Sequence, residues 1–452
     1  MPEGGNMPVD PVRDAAVDVL LRVFERGVHL DESLDKTIRR KGGLLSPRGR
    51  RFMSQICYGT VRNRLLCDHV LSGLCEQPLD NLPPAILTVL RMAIFQSLFC
   101  NQVTRPAMVH TAVDLSQKRG HAGLARMTNA ILRKAPEKLE DIAFPDPATD
   151  LVDYLRLRYS LPRWMAREWV ERFGPEGAER FCARVNTQAP MSLRVNTLKT
   201  TPAELARHLE KSGIMTAHAT AIPEELTVVD GGNPIDSRWF EQGHFLVQDP
   251  ASMLPPHLLE PRPGEQVLDL CAAPGGKTTH IAQLTGGEAR LTAMDSVRRR
   301  LWMVRDNFAR LDFPECAIVC GDGVLPPFAA GQFDRVLVDA PCSGLGTLRR
   351  HPDLKWRVTP ETVARLAETQ QSLLRRGLEL CKNGGLVVYS VCTFTRQETV
   401  ETVNAVLSEG LCEPEDGPEL LAPWKTAQGQ YQTDPLDGAL DAFFLMRLRK
   451  RS

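Results

Sequence analysis

The stretch Val267-Leu-Asp-Leu-Cys-Ala-Ala-Pro-Gly-Gly-Lys-Thr-Thr-His280 decides the fold. It opens as a short apolar run, turns at a proline and two glycines, and resumes at Thr278 or Thr279 with helical character, so it reads as strand, tight turn, helix. Working outward, short apolar runs recur at 291–294, 317–319, 335–338 and 386–389, separated by helical segments. That alternation predicts a mostly parallel, doubly wound α/β sheet covered by helices on both faces. Ligands of such sheets sit outside the carboxyl ends of the strands, where the chemistry-bearing residues of this chain also fall.

The turn lacks both G-x-G-x-x-G and the Walker A spacing, which disfavours a pyrophosphate ligand. Strand two ends at Asp295, about twenty residues past the glycines, the interval at which an acid meets ribose hydroxyls. Strand three ends at Gly321-Asp322 and strand four at Asp339. A single strand-end acid is usually a helix cap or a turn residue, but three around one crevice suit a cationic nucleoside.

Strand four leads into Asp339-Ala-Pro-Cys-Ser-Gly-Leu-Gly346 and strand five into Tyr389-Ser-Val-Cys-Thr-Phe394. A lone cysteine is ordinarily a buried small hydrophobe. Cys342 and Cys392, however, both stand at strand ends facing the same crevice, where a thiolate can act as a nucleophile. Such a thiolate can add to a ring carbon of an aromatic base and give the neighbouring carbon enamine character. Asp339 is placed to hydrogen-bond the amino and N3 edge of such a base.

Upstream, residues 9–140 read as an all-helical domain, with Ala15, Val19, Leu20 and Val23, then Leu87, Leu90, Ile94 and Leu98, then Val109, Ala112, Val113 and Leu115 at helical spacing. Lys36, Arg39, Arg40, Lys41, Arg48, Arg50, Arg51, Arg62 and Arg64 fall between Lys36 and Cys67 without an intervening acid, a bias that either tracks a phosphate backbone or paints a solvated face. The Pro-rich stretch 143–149 marks a boundary. A small α/β module is expected over 150–243, helical over 151–184 with a strand at 191–196, and the catalytic domain over 244–450.

The 452 residues exceed what one hydrophobic core organises, consistent with several domains. Lys plus Arg and Asp plus Glu both number 55, so overall charge gives no argument for a polyanionic partner. The 12 cysteines form no C-x-x-C pair and no zinc-spaced Cys/His cluster, so no metal is expected. With no leader pattern at 1–10 and no membrane-spanning run, the expected compartment is the cytoplasm, and with no heptad seam the expected state is a monomer with no membrane partner.

Cys271-Ala-Ala-Pro-Gly-Gly-Lys277, Asp339-Ala-Pro-Cys-Ser-Gly344 and Arg350-His-Pro-Asp-Leu-Lys-Trp356 together resemble the Nop2/Sun family of RNA 5-methylcytosine methyltransferases, in particular its bacterial Fmu/Sun type acting on 16S ribosomal RNA. The likeness covers nearly the whole chain. It implies a Rossmann-like domain using S-adenosylmethionine (S-adenosyl-L-methionine), with Cys392 as nucleophile, Cys342 assisting product release, and cofactor contacts from Cys271, Ala272, Ala273, Pro274, Gly275, Gly276, Lys277, Asp295, Asp322 and Asp339. Arg194-Val-Asn196 is similar to the family's preceding RNA-binding module, and the N-terminal helices, closing on Thr128-Asn-Ala-Ile-Leu-Arg133, resemble the NusB fold. The implied substrate is 16S ribosomal RNA or an early small-subunit assembly intermediate.

The chain departs from the family at Val391, often threonine, at Arg396, often proline, and at Ala442, usually glycine. Three other readings are distinguishable. A DNA methyltransferase would use Pro341-Cys342 as its nucleophile, which Cys392 and the NusB-like helices oppose. A transfer RNA methyltransferase would keep the chemistry and change the substrate. A non-catalytic assembly factor would keep the fold as a scaffold, against the intact cysteines and acids.

Overall fold

Helix capping chemistry sets the first element: Pro11 opens α1 (Pro11–Arg26), the Asp10 carboxylate accepts from the Val12 and Arg13 backbone N–H groups, and Gly27 ends it in the left-handed region. The computed structural model describes residues 9–41, 43, 45–436 and 440–452. These form two compact units, one of 1–187 with 348–357 and one of 188–347 with 358–452.

The first unit is helical. After α1 come α2 (Leu30–Lys41), α3 (Pro47–Arg62), α4 (Arg64–Leu74), α5 (Pro84–Phe99), α6 (Arg105–Arg119), α7 (Ala122–Leu132), α8 (Leu151–Arg158) and α9 (Arg163–Val185). α5 is the central rod, buried at every position from Ile86 to Gln96, and Ala15, Val19 and Leu20 of α1 join the same core. Of the helical-period residues, Val23, Leu98 and Val109 are only partly buried against that core. The Pro-rich stretch is free of helix and strand from 143 to 150. The segment expected to be helical over 151–184 is interrupted between α8 and α9, and again where Gly174 (φ 70°) precedes Pro175. Both helices, grouped above with the small module, fall in the helical unit.

The basic run is partly consumed by this packing. Arg62 is buried and donates to the Arg349 carbonyl at 2.7 Å, Arg64 stacks over Phe24 and Trp356, and Lys41 pairs with Asp18 at 2.8 Å. Lys36, Arg39, Arg40, Arg48 and Arg51 remain exposed. The 348–357 segment folds with the helices: Trp356 Nε1 donates to the Val61 carbonyl at 2.8 Å, and the fully buried Lys355 Nζ reaches Asn186 Oδ1 at 2.5 Å and the carbonyls of Arg62, Ser160 and Tyr159 at 3.2, 3.3 and 3.4 Å. Burial, and then the neighbouring Arg62 charge, hold the Lys355 pKa well below the usual range, and these oxygens accept its N–H groups in place of water.

The second unit holds two sheets. The smaller is antiparallel, in the order β2-β3-β1-β4, from β1 (Ser192–Val195), β2 (Ile214–Ala217), β3 (Glu225–Gly231) and β4 (Phe245–Val247), with α10 (Pro202–Glu210) and the short α11 (Arg238–Glu241). The larger sheet runs β10-β12-β9-β8-β5-β6-β7, from β5 (Gln266–Asp269), β6 (Arg290–Asp295), β7 (Ala317–Cys320), β8 (Phe333–Asp339), β9 (Cys381–Val391), β10 (Cys412–Pro414) and β12 (Phe444–Lys450), with β11 (Tyr431–Gln432) beside β12. β7 through β9 pair in parallel, and β12 enters antiparallel against β9. The helices are α12 (Leu254–Leu259), α13 (Gly276–Leu284), α14 (Arg298–Leu311), α15 (Pro360–Leu380) and α16 (Thr402–Leu407). The five parallel strands expected from the sequence are present; the antiparallel edge beyond β9 was not foreseen. No described helix is long and apolar enough to cross a membrane.

Candidate active site at the strand ends

The parallel register sets the site, because a shared strand direction brings the carboxyl ends of β5, β6, β8 and β9 to one side. The turn after β5 is held by its own backbone: Ala272 N–H donates to the Met294 carbonyl at 2.8 Å, Gly275 N–H to the Ala272 carbonyl at 2.8 Å, and Ala273 N–H to Asp295 Oδ2 at 3.2 Å. Gly275 sits at φ 99°, and a Cβ there would meet the Val304 backbone at 2.9 Å. This glycine therefore serves the approach of α14 as well as any ligand. Cys271 lies in the turn, its thiol raised well above the usual range by burial and then by the neighbouring acids.

Asp295, at the end of β6, is buried and also accepts from the Val297 N–H at 2.9 Å. Asp339, at the end of β8, accepts from the Lys277 ammonium and the Ser390 hydroxyl, each at 2.6 Å. Burial alone would lower the Lys277 pKa, but Asp339 outweighs it and leaves the ammonium more tightly protonated than usual. Asp322 is exposed and accepts from the Val324 N–H at 2.9 Å, the ordinary work of a turn residue.

An acid overlooked in the sequence completes the group. Asp269 ends β5, is fully buried, accepts from the Thr278 hydroxyl at 2.7 Å, and leaves Oδ1 without a hydrogen-bond partner among the described residues. Burial pushes its pKa up to about 7 against the Thr278 bond, with Asp339 and Asp295 adding to the rise. It was legible as the residue heading the turn, at the strand-end position used to pick the other acids.

The two cysteines meet. Cys342 Sγ and Cys392 Sγ lie 3.3 Å apart, and contact with Cys392, followed by burial, holds the Cys342 thiol well above the usual range. Beneath both loops lies Glu398, also missed in the sequence and fully buried on a single π-helical turn (Gln397–Glu401). Its Oε1 accepts from the Ser343 N–H at 2.8 Å and Gln370 Nε2 at 3.0 Å, and its Oε2 from the hydroxyls of Ser343 at 2.5 Å, Thr395 at 2.9 Å and Thr393 at 3.3 Å. One carboxylate thus joins the residues that follow each cysteine. Gly346 closes the arrangement, donating to the Cys392 carbonyl at 3.0 Å and accepting from the Ala442 N–H at 3.1 Å. Of the three departures, Val391 and Ala442 are buried, while Arg396 points outward beside Glu401 at 3.4 Å.

Glu224, His257 and His280 form a second polar cluster, with ligating atoms within 4.8 Å of one another. These are metal-ligating residue types, and their wide separation along the chain leaves no local spacing pattern. Glu224 Oε1 lies 2.8 Å from His257 Nε2 and 2.6 Å from His280 Nε2. The two imidazoles overcome burial and hold the Glu224 carboxyl well below its usual range, while burial pulls His280 down to about 3.

A doubly wound sheet with acid-tipped strands around a glycine turn defines a Rossmann-like α/β methyltransferase domain, here accompanied by NusB-type helices. Comparison with known proteins narrows this class. Residues 256–449 match the model described as 16S rRNA methyltransferase RsmB/F, residues 10–137 the NusB family, and residues 161–234 the ferredoxin-like domain of RsmF/B-like methyltransferases. The "Probable ribosomal RNA small subunit methyltransferase B" of Bacillus subtilis (strain 168) is 33% identical over 97% of this chain and 99% of its own, and the "Ribosomal RNA small subunit methyltransferase B" of Vibrio cholerae is 32% identical over 97% and 98%. The solved structure of PH0851 superposes with a TM-score of 0.82 at 25% identity, covering 97% of this chain and 99% of that one. The chain belongs to the RsmB/F family of 16S rRNA methyltransferases.

Proposed function

We propose that the protein methylates carbon 5 of a specific cytosine in 16S ribosomal RNA, with S-adenosylmethionine as donor, and does so as a cytoplasmic monomer. The observation that carries this reading is the contact of Cys342 with Cys392 at the ends of β8 and β9, beside the Lys277–Asp339 pair. When bound, S-adenosylmethionine supplies an electrophilic methyl carbon on a positively charged sulfonium. The residues present suit it: Asp269 keeps one buried oxygen unpartnered, and with Asp295 and Asp339 it concentrates negative charge beside the 271–277 turn.

The chain's own groups then have distinct tasks. Cys392, as thiolate, forms a bond to carbon 6, and the displaced double-bond electrons make carbon 5 nucleophilic toward the methyl group. Lys277, whose ammonium meets Asp339, interacts electrostatically with Cys392. Asp339, which accepts from the Lys277 ammonium, also accepts from the exocyclic amino group of the base and so orients it. After a base takes the proton from carbon 5, the carbon 5–carbon 6 double bond re-forms, the sulfur–carbon bond breaks, and Cys342, still carrying its proton, assists release. Asp322 contributes from the rim of the cofactor site. The exposed Lys36, Arg39, Arg40, Arg48 and Arg51 of the helical domain, with the small module, supply affinity for the RNA backbone.

The test is transfer of labelled methyl to protein-free small-subunit ribosomal RNA followed by nucleoside analysis. Label in 5-methylcytosine is the expected result. Label only in transfer RNA would overturn the substrate, and label in neither RNA would overturn the enzymatic reading.

A further inference from the structure

Arg194 came to attention as part of a module associated with RNA, yet it is 1% exposed, which leaves a phosphate no access to it. It stands at the middle of β1, with its backbone register opposite Glu225 on one side and Leu246 on the other, so its side chain is aimed by a sheet rather than a loop. The guanidinium leaves the small sheet altogether. One terminal nitrogen donates to the Gly276 carbonyl and to Gln248 Oε1 at 2.5 Å, and the other to the Thr279 hydroxyl at 2.8 Å. Thr279 in turn donates to the Gly275 carbonyl at 2.7 Å. Both glycine carbonyls of the turn are therefore tied, directly or through one hydroxyl, to this arginine.

We propose that Arg194 is a positioning residue for the cofactor, which it serves by clamping the glycine turn and the first turn of α13 from behind. The proposal rests on the reading that the 271–277 turn holds S-adenosylmethionine. A peptide plane directs its carbonyl and the following N–H in opposite senses. Holding the Gly275 and Gly276 carbonyls toward Arg194 thus turns the N–H groups of Gly276 and Lys277 the other way, where the start of α13 leaves them without partners inside the helix. Lys277 is also the residue whose ammonium meets Asp339.

The charge is accommodated locally. Burial lowers the Arg194 pKa to about 9, and Glu224 opposes that fall, so the guanidinium stays charged at neutral pH. Glu224 is itself held by His257 and by His280, which lies on the same helix as the clamped turn. An arginine suits the task because its planar fork reaches acceptors on two successive levels, whereas a lysine offers one point charge.

The experiment measures S-adenosylmethionine affinity by titration calorimetry on the full-length protein, and steady-state KM for both substrates, for Arg194→Met, Arg194→Lys and Thr279→Val. Near-ultraviolet circular dichroism establishes folding. The expected result is a dissociation constant raised about tenfold in Arg194→Met, the scale of one lost charge-assisted hydrogen bond, with partial recovery in Arg194→Lys and a rise of about threefold in Thr279→Val. KM for the RNA and kcat at saturating S-adenosylmethionine stay within about twofold of the original protein, since a merely structural defect would lower the active fraction instead. Unchanged affinity in a folded Arg194→Met, or a raised KM for RNA alone, would overturn the proposal. Should Arg194→Met not fold, Thr279→Val, which alters no charge, decides in the same way. Failure of the unsubstituted protein to bind S-adenosylmethionine would remove the cofactor reading and this proposal together.

Discussion

The sulfur atoms of Cys342 and Cys392 lie 3.3 Å apart, although 50 positions separate them in the chain. Contact with Cys392, followed by burial, makes Cys342 hold its proton more tightly than an ordinary thiol, in keeping with the release role proposed for it and the nucleophilic role proposed for Cys392. Cys392→Ala is expected to lose methyl transfer by on the order of 10³-fold or more. Cys342→Ala should accumulate an RNA–protein adduct that survives denaturing electrophoresis. Activity retained in Cys392→Ala and lost in Cys342→Ala would exchange the two roles.

Asp269 is expected to make binding of S-adenosylmethionine dependent on pH. Its folded pKa of about 7 stands above the ordinary 3.8, so the folded chain keeps a proton that the unfolded chain gives up between those values. Its contribution to stability is complete below the lower value and is lost as pH rises through the upper one. A cationic ligand prefers the carboxylate, so affinity for S-adenosylmethionine should rise about tenfold from pH 6 to pH 8, with proton release on binding. Calorimetry in buffers of different ionisation enthalpy reads both effects, and Asp269→Asn should flatten the profile.

Glu398 ties the two cysteine loops together, and its loss should cost activity beyond its cost in stability. Glu398→Ala leaves the Ser343 N–H without its buried acceptor and Gln370 Nε2 with the Pro341 carbonyl alone, a penalty of about 3 kcal/mol. Glu398→Gln should fall between that variant and the original protein in kcat. Chemical denaturation alongside single-turnover kinetics separates the two; a kcat unchanged in folded Glu398→Ala would deny it any hold on the cysteines.

Lys355 should govern the stability of the helical unit. Lys355→Met strands Asn186 Oδ1 and takes a donor from the carbonyls of Arg62 and Ser160, while the Tyr159 carbonyl keeps Asn186 Nδ2, at a cost of about 3 kcal/mol. Hydrogen exchange should accelerate around the end of α3 and around residues 159–160. Unaltered protection there would mean that those oxygens find other donors.

Much of the fold was legible because its decisive signals are local. The five parallel strands announced themselves as short apolar runs, and the glycine turn and both cysteine loops are stretches of contiguous residues that follow those runs. The antiparallel β12 was hidden because its place beside β9 depends on pairing with a distant strand. Asp322, a strand-end acid by position, is exposed and also accepts from the Val324 N–H of the turn it begins, a local use that its position alone does not state.

The sequence by itself determined the class of fold and the family, since the signals for both are written within a few consecutive residues. Tertiary structure alone decided that Cys342 touches Cys392, that Glu398 lies under both, that Asp269 is buried to the point of titrating near neutrality, and that Arg194 serves the glycine turn. Each of these depends on strand order and burial, which bring distant residues into contact and remove them from water, and no local pattern encodes either.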